Sequence, residues 1–342
     1  MAEHPRVSIC LPNLNQRPFI EERLHSIVSQ NFVDWECIAY DNFSDDGSWE
    51  VIKQYATRDV RIVARQAPKT GMYANWNNCI NDARGSYIYI ATSDDTMSLH
   101  CLEKMVTALD THSDCDVCQC GLQMIDREGN PMKGENGGLC WEKLANASYF
   151  GDQLKTPHVR QAPHDGLVAL AYGTAWTSMT QVLIRRTLFD KVGLFPTNWN
   201  AVGDAAWQMK AGLVANVVYI PEKLATWRYY EGQGSGRVHQ KALEDGWMHQ
   251  MGLDALEWFD GINPVLAKKI RRSGILDFFL LPKLYYQTKR LNPASALLFS
   301  LFTHPRGVLM LYRNILYRRA GSVLPPKACL VRRAIGTCTL NA

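Results

Sequence analysis

The chain has 342 residues, of which 46% are hydrophobic and 20% charged. These proportions exclude wholesale disorder, and the length accommodates two domains or one large α/β domain with an extension. A formal charge of only +4 hides an asymmetry: Val265–Ala342 carries 14 Lys and Arg against one acid, Asp277, whereas the preceding residues carry 23 basic and 32 acidic side chains. No run of about 18 apolar residues occurs, which argues against a spanning helix. No signal-peptide-like apolar run precedes the first strand, which argues against secretion by that route. The ten cysteines are scattered and read as reduced thiols of a cytoplasmic protein.

In chain order, predicted strands Val7–Leu11, Trp35–Tyr40, Arg61–Ala64 and Tyr87–Ala91 alternate with predicted helices Phe19–Gln30, Ser48–Thr57 and Tyr73–Ala83. A further helix, Leu99–Leu109, follows. This alternation predicts an α/β fold, Rossmann-like, with a mostly parallel central sheet and helices on both faces. Asp116–Ile125 then reads as a strand, Arg127–Asn130 as a turn and Glu135–Ala162 as a polar loop. Helical signals return at Asp165–Ala171, Thr187–Val192 and Asp204–Ala211. Val214–Ile220 and Leu224–Arg228 read as two strands, and Lys241–Phe259 as a long helix.

Ligands of such sheets bind at the carboxyl ends of the strands, so the polar residues that follow each strand carry the functional information. After the second strand comes Asp41-Asn42-Phe43-Ser44-Asp45-Asp46-Gly47-Ser48, and after the fourth Thr92-Ser93-Asp94-Asp95. Carboxylates gathered in one crevice repel unless they meet cations or hydrogen-bond donors. An Asp94-Asp95 pair after an apolar strand suits Mg²⁺ or Mn²⁺, which take oxygen ligands from one or two carboxylates and from phosphates. Alone, such a pair is a weak signal, because more often the first Asp caps the next helix and the second is solvated.

The ordered series is more telling. Pro12-Asn13-Leu14-Asn15 follows strand one, Asp41–Ser48 follows strand two, Gly71-Met72-Tyr73-Ala74-Asn75-Trp76-Asn77 opens the third helix, and Gly85 and Ser93-Asp94-Asp95 flank strand four. The series resembles the family 2 glycosyltransferases of the GT-A fold, closely over Val7–Met105 and more loosely to Arg228. The resemblance implies a nucleotide-sugar site in which Pro12 and Asn15 lie beside base and ribose. Asp41 would accept a hydrogen bond from the base edge, and Asp94 would lie near ribose and sugar. Asp95 would coordinate a divalent cation (Mn²⁺ or Mg²⁺) on the diphosphate, and Gly71 and Asn77 would fall next to the nucleotide. It also implies a general base opening a helix after Val192-Gly193-Leu194-Phe195-Pro196. Asp204 fits, although Gly203 stands where many relatives carry Glu or Asp. Arg228, in Thr226-Trp227-Arg228-Tyr229-Tyr230, would meet the diphosphate or form a surface ion pair. Gly232, Gly234 and Gly236 would let the following loop move.

The implied activity is inverting transfer of one hexosyl or N-acetylhexosaminyl residue, from UDP-sugar by default, to a glycan or lipid-linked acceptor in cell-surface polysaccharide biosynthesis. No Gln-x-x-Arg-Trp signature of processive polymerases occurs. Residues 1–235 would form the glycosyltransferase domain (1–115 the donor half, 116–235 the acceptor half), and 236–342 a helical, basic extension. Its apolar blocks Ile275–Leu281, Ala294–Phe302 and Val308–Tyr317, flanked by cations, suit an anionic membrane surface. The expected location is therefore the cytoplasm, peripheral on the inner membrane face, with no nucleic-acid partner expected. Rival readings are a sugar-phosphate nucleotidyltransferase, which Pro12–Arg17 disfavours by lacking glycine, and a non-catalytic nucleotide-sugar-binding or scaffold protein. Cys115, Cys118 and Cys120 supply at most half a zinc site. Trp141, Trp176, Trp199, Trp207 and Trp227 are candidates for sugar stacking or core packing.

Overall fold

The computed structural model describes residues 4–132, 144–230 and 245–279, with Ser295 and Val331. The first half follows the predicted alternation: β1 (Val7–Asn13), α1 (Arg17–Val28), β2 (Trp35–Asp41), α2 (Ser48–Arg58), β3 (Ile62–Gln66), α3 (Met72–Asp82), β4 (Tyr87–Ile90) and α4 (Cys101–Thr111). Every residue of β1 and β4 is buried, as continuous apolar runs covered on both faces require. Gly85 lets the chain enter β4, because a Cβ there would stand 2.6 Å from the Ser8 amide.

The second half contains β5 (Val117–Ile125), α5 (Ala145–Phe150), β6 (His158–Arg160), α6 (His164–Tyr172), β7 (Val182–Arg185), α7 (Thr187–Val192), α8 (Gly203–Val214) and β8 (Val217–Arg228). All eight strands form one sheet in the order β3-β2-β1-β4-β7-β5-β8-β6. β7 runs antiparallel to β4 and β5, and β6 antiparallel to β8, while the other neighbours are parallel. The sheet is thus mostly parallel, as expected.

Two expectations are corrected. The segment expected as a polar loop before Ala162 holds α5 and β6 among its described residues. The two strands expected between Val214 and Arg228 are one strand, β8, interrupted by a register shift opposite Gly121. A Cβ on Gly121 would lie 2.6 Å from the Pro221 carbonyl, so only glycine admits the irregularity there. Beyond it, β8 meets the loop after β4, with Thr226 donating its amide to the Thr96 carbonyl at 3.0 Å.

Two further helices, Trp247–Asp260 and Pro264–Ser273, lead to a 3₁₀ segment, Ile275–Phe279. Met251, Ala255 and Phe259 are buried, as are Ile275, Leu276 and Phe279. Gly252 allows this closeness: a Cβ there would meet Leu276 at 2.3 Å and Leu170 of α6 at 3.3 Å. Ile275, Leu276 and Phe279 of the first apolar block are thus buried against the body. Apart from Ser295, the blocks Ala294–Phe302 and Val308–Tyr317 lie outside the described residues, as do Gly232, Gly234, Gly236 and Trp141. No helix among the described residues is long and apolar enough to cross a membrane. The seven described cysteines, Cys118 and Cys120 of β5 included, are free and buried.

Candidate active site

Register fixes the site. Asn13 and Asp41 end β1 and β2 side by side, whereas β4 stops at Ile90, level with Cys10. The shorter β4 leaves a step on the carboxyl edge of the sheet, and Thr92–Asp95 occupies it. Ser93 closes the step by donating its hydroxyl to the Pro12 carbonyl at 2.6 Å.

Asp41 is wholly buried. Its Oδ1 accepts from Asn13 Nδ2 at 2.8 Å and from the Ser44 hydroxyl at 2.5 Å. Its Oδ2 accepts from the Ser44 amide at 2.9 Å and from Gln66 Nε2 at 3.1 Å. The four donors match the lone-pair capacity of a carboxylate. Asn15 bridges the same loops: its amide donates to the Ser44 hydroxyl at 2.9 Å and its Oδ1 accepts from the Asp45 amide at 3.1 Å. Asn15 and Phe43 both hold left-handed backbone, φ 52° and 51°, a costly state for a bulky exposed side chain such as Phe43 and one that clusters at functional sites. Burial opposes ionisation of Asp46, but hydrogen bonds from Ser48 and the Arg17 amide outweigh it and hold the carboxyl below its usual range.

Asp94 is partly exposed and Asp95 is 2% exposed beneath it. Asp95 accepts the Thr92 hydroxyl on Oδ2 and the Arg228 amide, at 2.7 Å, on Oδ1. Burial, reinforced by the charge of Asp94, pushes Asp95 up to about 7. Among the described residues no group of three or more His, Cys, Asp or Glu side chains forms a metal cage. The pair instead offers hard oxygen donors only, and each Asp95 oxygen keeps a second lone pair. That donor set fits Mg²⁺ or Mn²⁺ completed by phosphate oxygens and water.

Arg228 does not form the surface ion pair expected as the alternative. It is 1% exposed, and its guanidinium donates to the Asp94 carbonyl at 2.7 Å, to the Asp126 and Arg127 carbonyls at 3.1 and 2.8 Å, and to Glu22 at 2.6 Å. With its amide on Asp95, Arg228 fixes the acidic turn from below, and its donors are committed to protein oxygens before any diphosphate arrives.

The first turns of α3 join the two halves. Gly71 enters the helix at φ +114°, which favours glycine. Asn75 donates to the Tyr40 carbonyl at 2.9 Å. Asn77 clamps the backbone of Phe195, donating to its carbonyl at 2.8 Å and accepting its amide at 3.0 Å. Tyr73 donates its hydroxyl to Asp204 Oδ1 at 2.6 Å. Asp204 lies in the first turn of α8 and is partly exposed, where the helix dipole favours its charge. Asn77 thus binds protein backbone, and Gly71 is an exposed turn. Trp176 and Trp207 are buried core residues, while partly buried Trp199 lines a small open cleft of about 150 Å³ with Lys210 and Asp254. Partners that sequence reasoning did not assign are Asn13, Ser44 and Gln66 around Asp41, Thr92 on Asp95 and Tyr73 on Asp204. Asn13, Ser44, Tyr73 and Thr92 lie inside the motifs that follow strands one, two and four or open the third helix, whereas Gln66, at the end of β3, carried no sequence signal.

Residues 8–164 match the family model described as glycosyl transferase family 2. Over that segment, a little under half of the chain, the protein resembles a glycosyltransferase domain of this family. It is similar to TuaG of Bacillus subtilis, a glycosyltransferase named for teichuronic acid biosynthesis, with 31% identity over 129 residues (37% of this chain, 51% of that protein). It is 30% identical over 127 residues to the abequosyltransferase RfbV of Salmonella typhimurium (35% of this chain, 38% of that protein). The chain spans about half the length of TuaG and less of RfbV. In fold it resembles S. aureus TarS 1-349, solved in complex with UDP-GlcNAc, with a TM-score of 0.53 at 16% identity over 83% of this chain and 82% of that one. It also resembles the mannosyltransferase PcManGT of Pyrobaculum calidifontis, solved with GDP-Man and Mn²⁺, with a TM-score of 0.50 at 16% identity over 98% and 87% of the two chains.

Proposed function

We propose that this chain is an inverting glycosyltransferase that moves one sugar from a nucleotide-sugar, UDP-linked by preference, to a hydroxyl of a glycan or lipid-linked acceptor in polysaccharide biosynthesis. One observation carries the proposal. The first turn of α3, which is hydrogen-bonded to the end of β2 through Asn75, also holds Asp204 through Tyr73. A candidate base is thereby tied to the edge of the sheet that bears Asp41, Asp94 and Asp95.

In this reading Pro12, Asn15 and Asp41 receive the base and ribose, and Asp94 faces the ribose and sugar. Gly71 allows close approach to the nucleotide, and Asn77 fixes the Phe195 segment beside it. A Mn²⁺ or Mg²⁺ at Asp95 would supply counter-charge to the diphosphate. Asp204 takes the proton of the acceptor hydroxyl as its oxygen bonds to the anomeric carbon. The bond from that carbon to the diphosphate oxygen breaks, the nucleoside diphosphate leaves with the electron pair, and single displacement inverts the centre. Exposed Leu14, Phe43, Met72 and Tyr229 give apolar rims for base and sugar. Peripheral attachment to an anionic inner membrane face rests on the basic segment after Leu281, which lies almost wholly outside the described residues. Asp204→Asn tests the proposal: it should bind nucleotide like the wild type and lose transfer by 10²- to 10⁴-fold, roughly the worth of a general base. Unimpaired transfer would refute it.

A further inference from the structure

We infer that Tyr73 is the positioning residue for the base, holding the Asp204 carboxylate in the orientation and charge state that proton transfer needs; the inference rests on the transferase reading above. The phenol ring has little freedom. It is 2% exposed, packs edge-on against Trp76 with centroids 5.1 Å apart, and stacks on Phe195 at 5.9 Å. On a third side lies Gly203, where a Cβ would stand 2.6 Å from ring atom Cδ2. A ring held on three sides aims its hydroxyl in one direction, and that direction ends on Asp204 Oδ1 at 2.6 Å.

The chemistry suits the task. An O–H donor on a carboxylate stabilises its ionised form, the form a base needs. Burial and the neighbouring Asp204 charge push the phenol well above its ordinary value, so it stays protonated and donates. A phenol thus orients the base without competing with it for the acceptor's proton. Fixing the rotamer of a partly exposed carboxylate also removes a reorganisation that would otherwise accompany each turnover. Gly203 is the complementary choice, because a side chain there would displace the ring that aims the hydroxyl.

Tyr73→Phe tests this, since it removes the hydroxyl and keeps the ring. The assay is nucleoside diphosphate release with water as acceptor, from whichever of UDP-N-acetylglucosamine, UDP-glucose, dTDP-glucose and GDP-mannose the wild-type chain cleaves. Melting temperature and nucleotide affinity are measured alongside. Turnover should fall roughly 10- to 100-fold with KM, affinity and melting temperature unchanged. In an Asp204→Asn background the same change should cost nothing further, because the hydroxyl acts through the carboxylate. Full turnover in Tyr73→Phe, an undiminished loss in the Asp204→Asn background, or a parallel fall in melting temperature would each overturn the inference. A fully active Asp204→Asn, or no cleavage of any donor by the wild type, would instead strike the transferase reading on which it rests.

Discussion

Gly203 and Tyr73 are fitted to each other. A Cβ at Gly203 would lie 2.6 Å from the Tyr73 ring and 2.5 Å from the Pro196 carbonyl, and one of those two obstacles is backbone. The residue that departs from the family pattern, by lacking a carboxylate before Asp204, is therefore the one that makes room for an aromatic donor to Asp204. Restoring the pattern with Gly203→Asp should lower stability by about 1–3 kcal/mol through overpacking. It should also reduce turnover at least tenfold, beyond what the stability loss explains. Thermal melts and donor cleavage check it; a Gly203→Asp variant more active than wild type would contradict the account.

Gln66 occupies the last acceptor position of Asp41. The other donors, Asn13 at the end of β1 and Ser44 in the loop after β2, are less exposed, whereas Gln66, the last residue of β3, is an exposed side chain with the longest of the four bonds, 3.1 Å. A nucleobase N–H that reaches Asp41 has to displace it. Gln66→Ala should leave nucleotide affinity unchanged or raise it by up to about tenfold, and Asp41→Asn should lower it by one to two orders of magnitude, as loss of a hydrogen bond to a charged group implies. Calorimetry with UDP, dTDP, GDP and CDP distinguishes the outcomes.

Metal affinity should climb with pH. Burial and the Asp94 charge raise Asp95 to about 7, so a cation has to displace a proton below that pH. Mn²⁺ binding should therefore weaken roughly tenfold for each unit below about pH 7 and level off above it. The same raised carboxyl makes the cation-free fold lose stability as pH rises from about 4, the unfolded value, towards 7. Added Mn²⁺ should restore most of that loss at neutral pH. A Mn²⁺ affinity that is flat from about pH 5.5 to 8 would exclude Asp95 as the ligand.

The ion pair beneath β5 and β6 has the opposite sign. Asp165 is buried with Arg160, which donates at 2.8 and 2.9 Å, and also accepts the Trp176 indole N–H at 2.9 Å. Burial opposes its charge, but the Arg160 charge and hydrogen bonds from His164 and Arg160 hold the carboxyl far below its usual range. Its stabilisation is complete above the unfolded value, about 4, and drains away as pH falls below it. Asp165→Asn should cost about 3–5 kcal/mol at neutral pH by stranding Arg160 and should lose part of the acid sensitivity seen in thermal melts.

Much of this was legible in the sequence. The β1–α4 alternation was readable because buried parallel strands are continuous apolar runs, and the polar residues after β1, β2 and β4 mark the carboxyl edge wherever such a sheet forms. Two short strands, β6 and β7, span three and four residues and leave no periodicity to read. β8 looked like two strands because its irregularity opposite Gly121 breaks the alternation. The Tyr73–Asp204 bond was invisible for a different reason: its partners are 131 residues apart, and a tyrosine at a helix start reads as core. The burial of Arg228 is not legible in the sequence because the four oxygens that meet its guanidinium come from three separate segments.

The most direct test of the central claim is calorimetric titration of UDP, dTDP, GDP and CDP into the chain with and without Mn²⁺, on wild type and Asp95→Ala. The account predicts Mn²⁺-dependent binding of one nucleotide, UDP by preference, that Asp95→Ala weakens by at least an order of magnitude. A folded wild-type chain that binds none of the four, or binds equally well in Asp95→Ala, would contradict it.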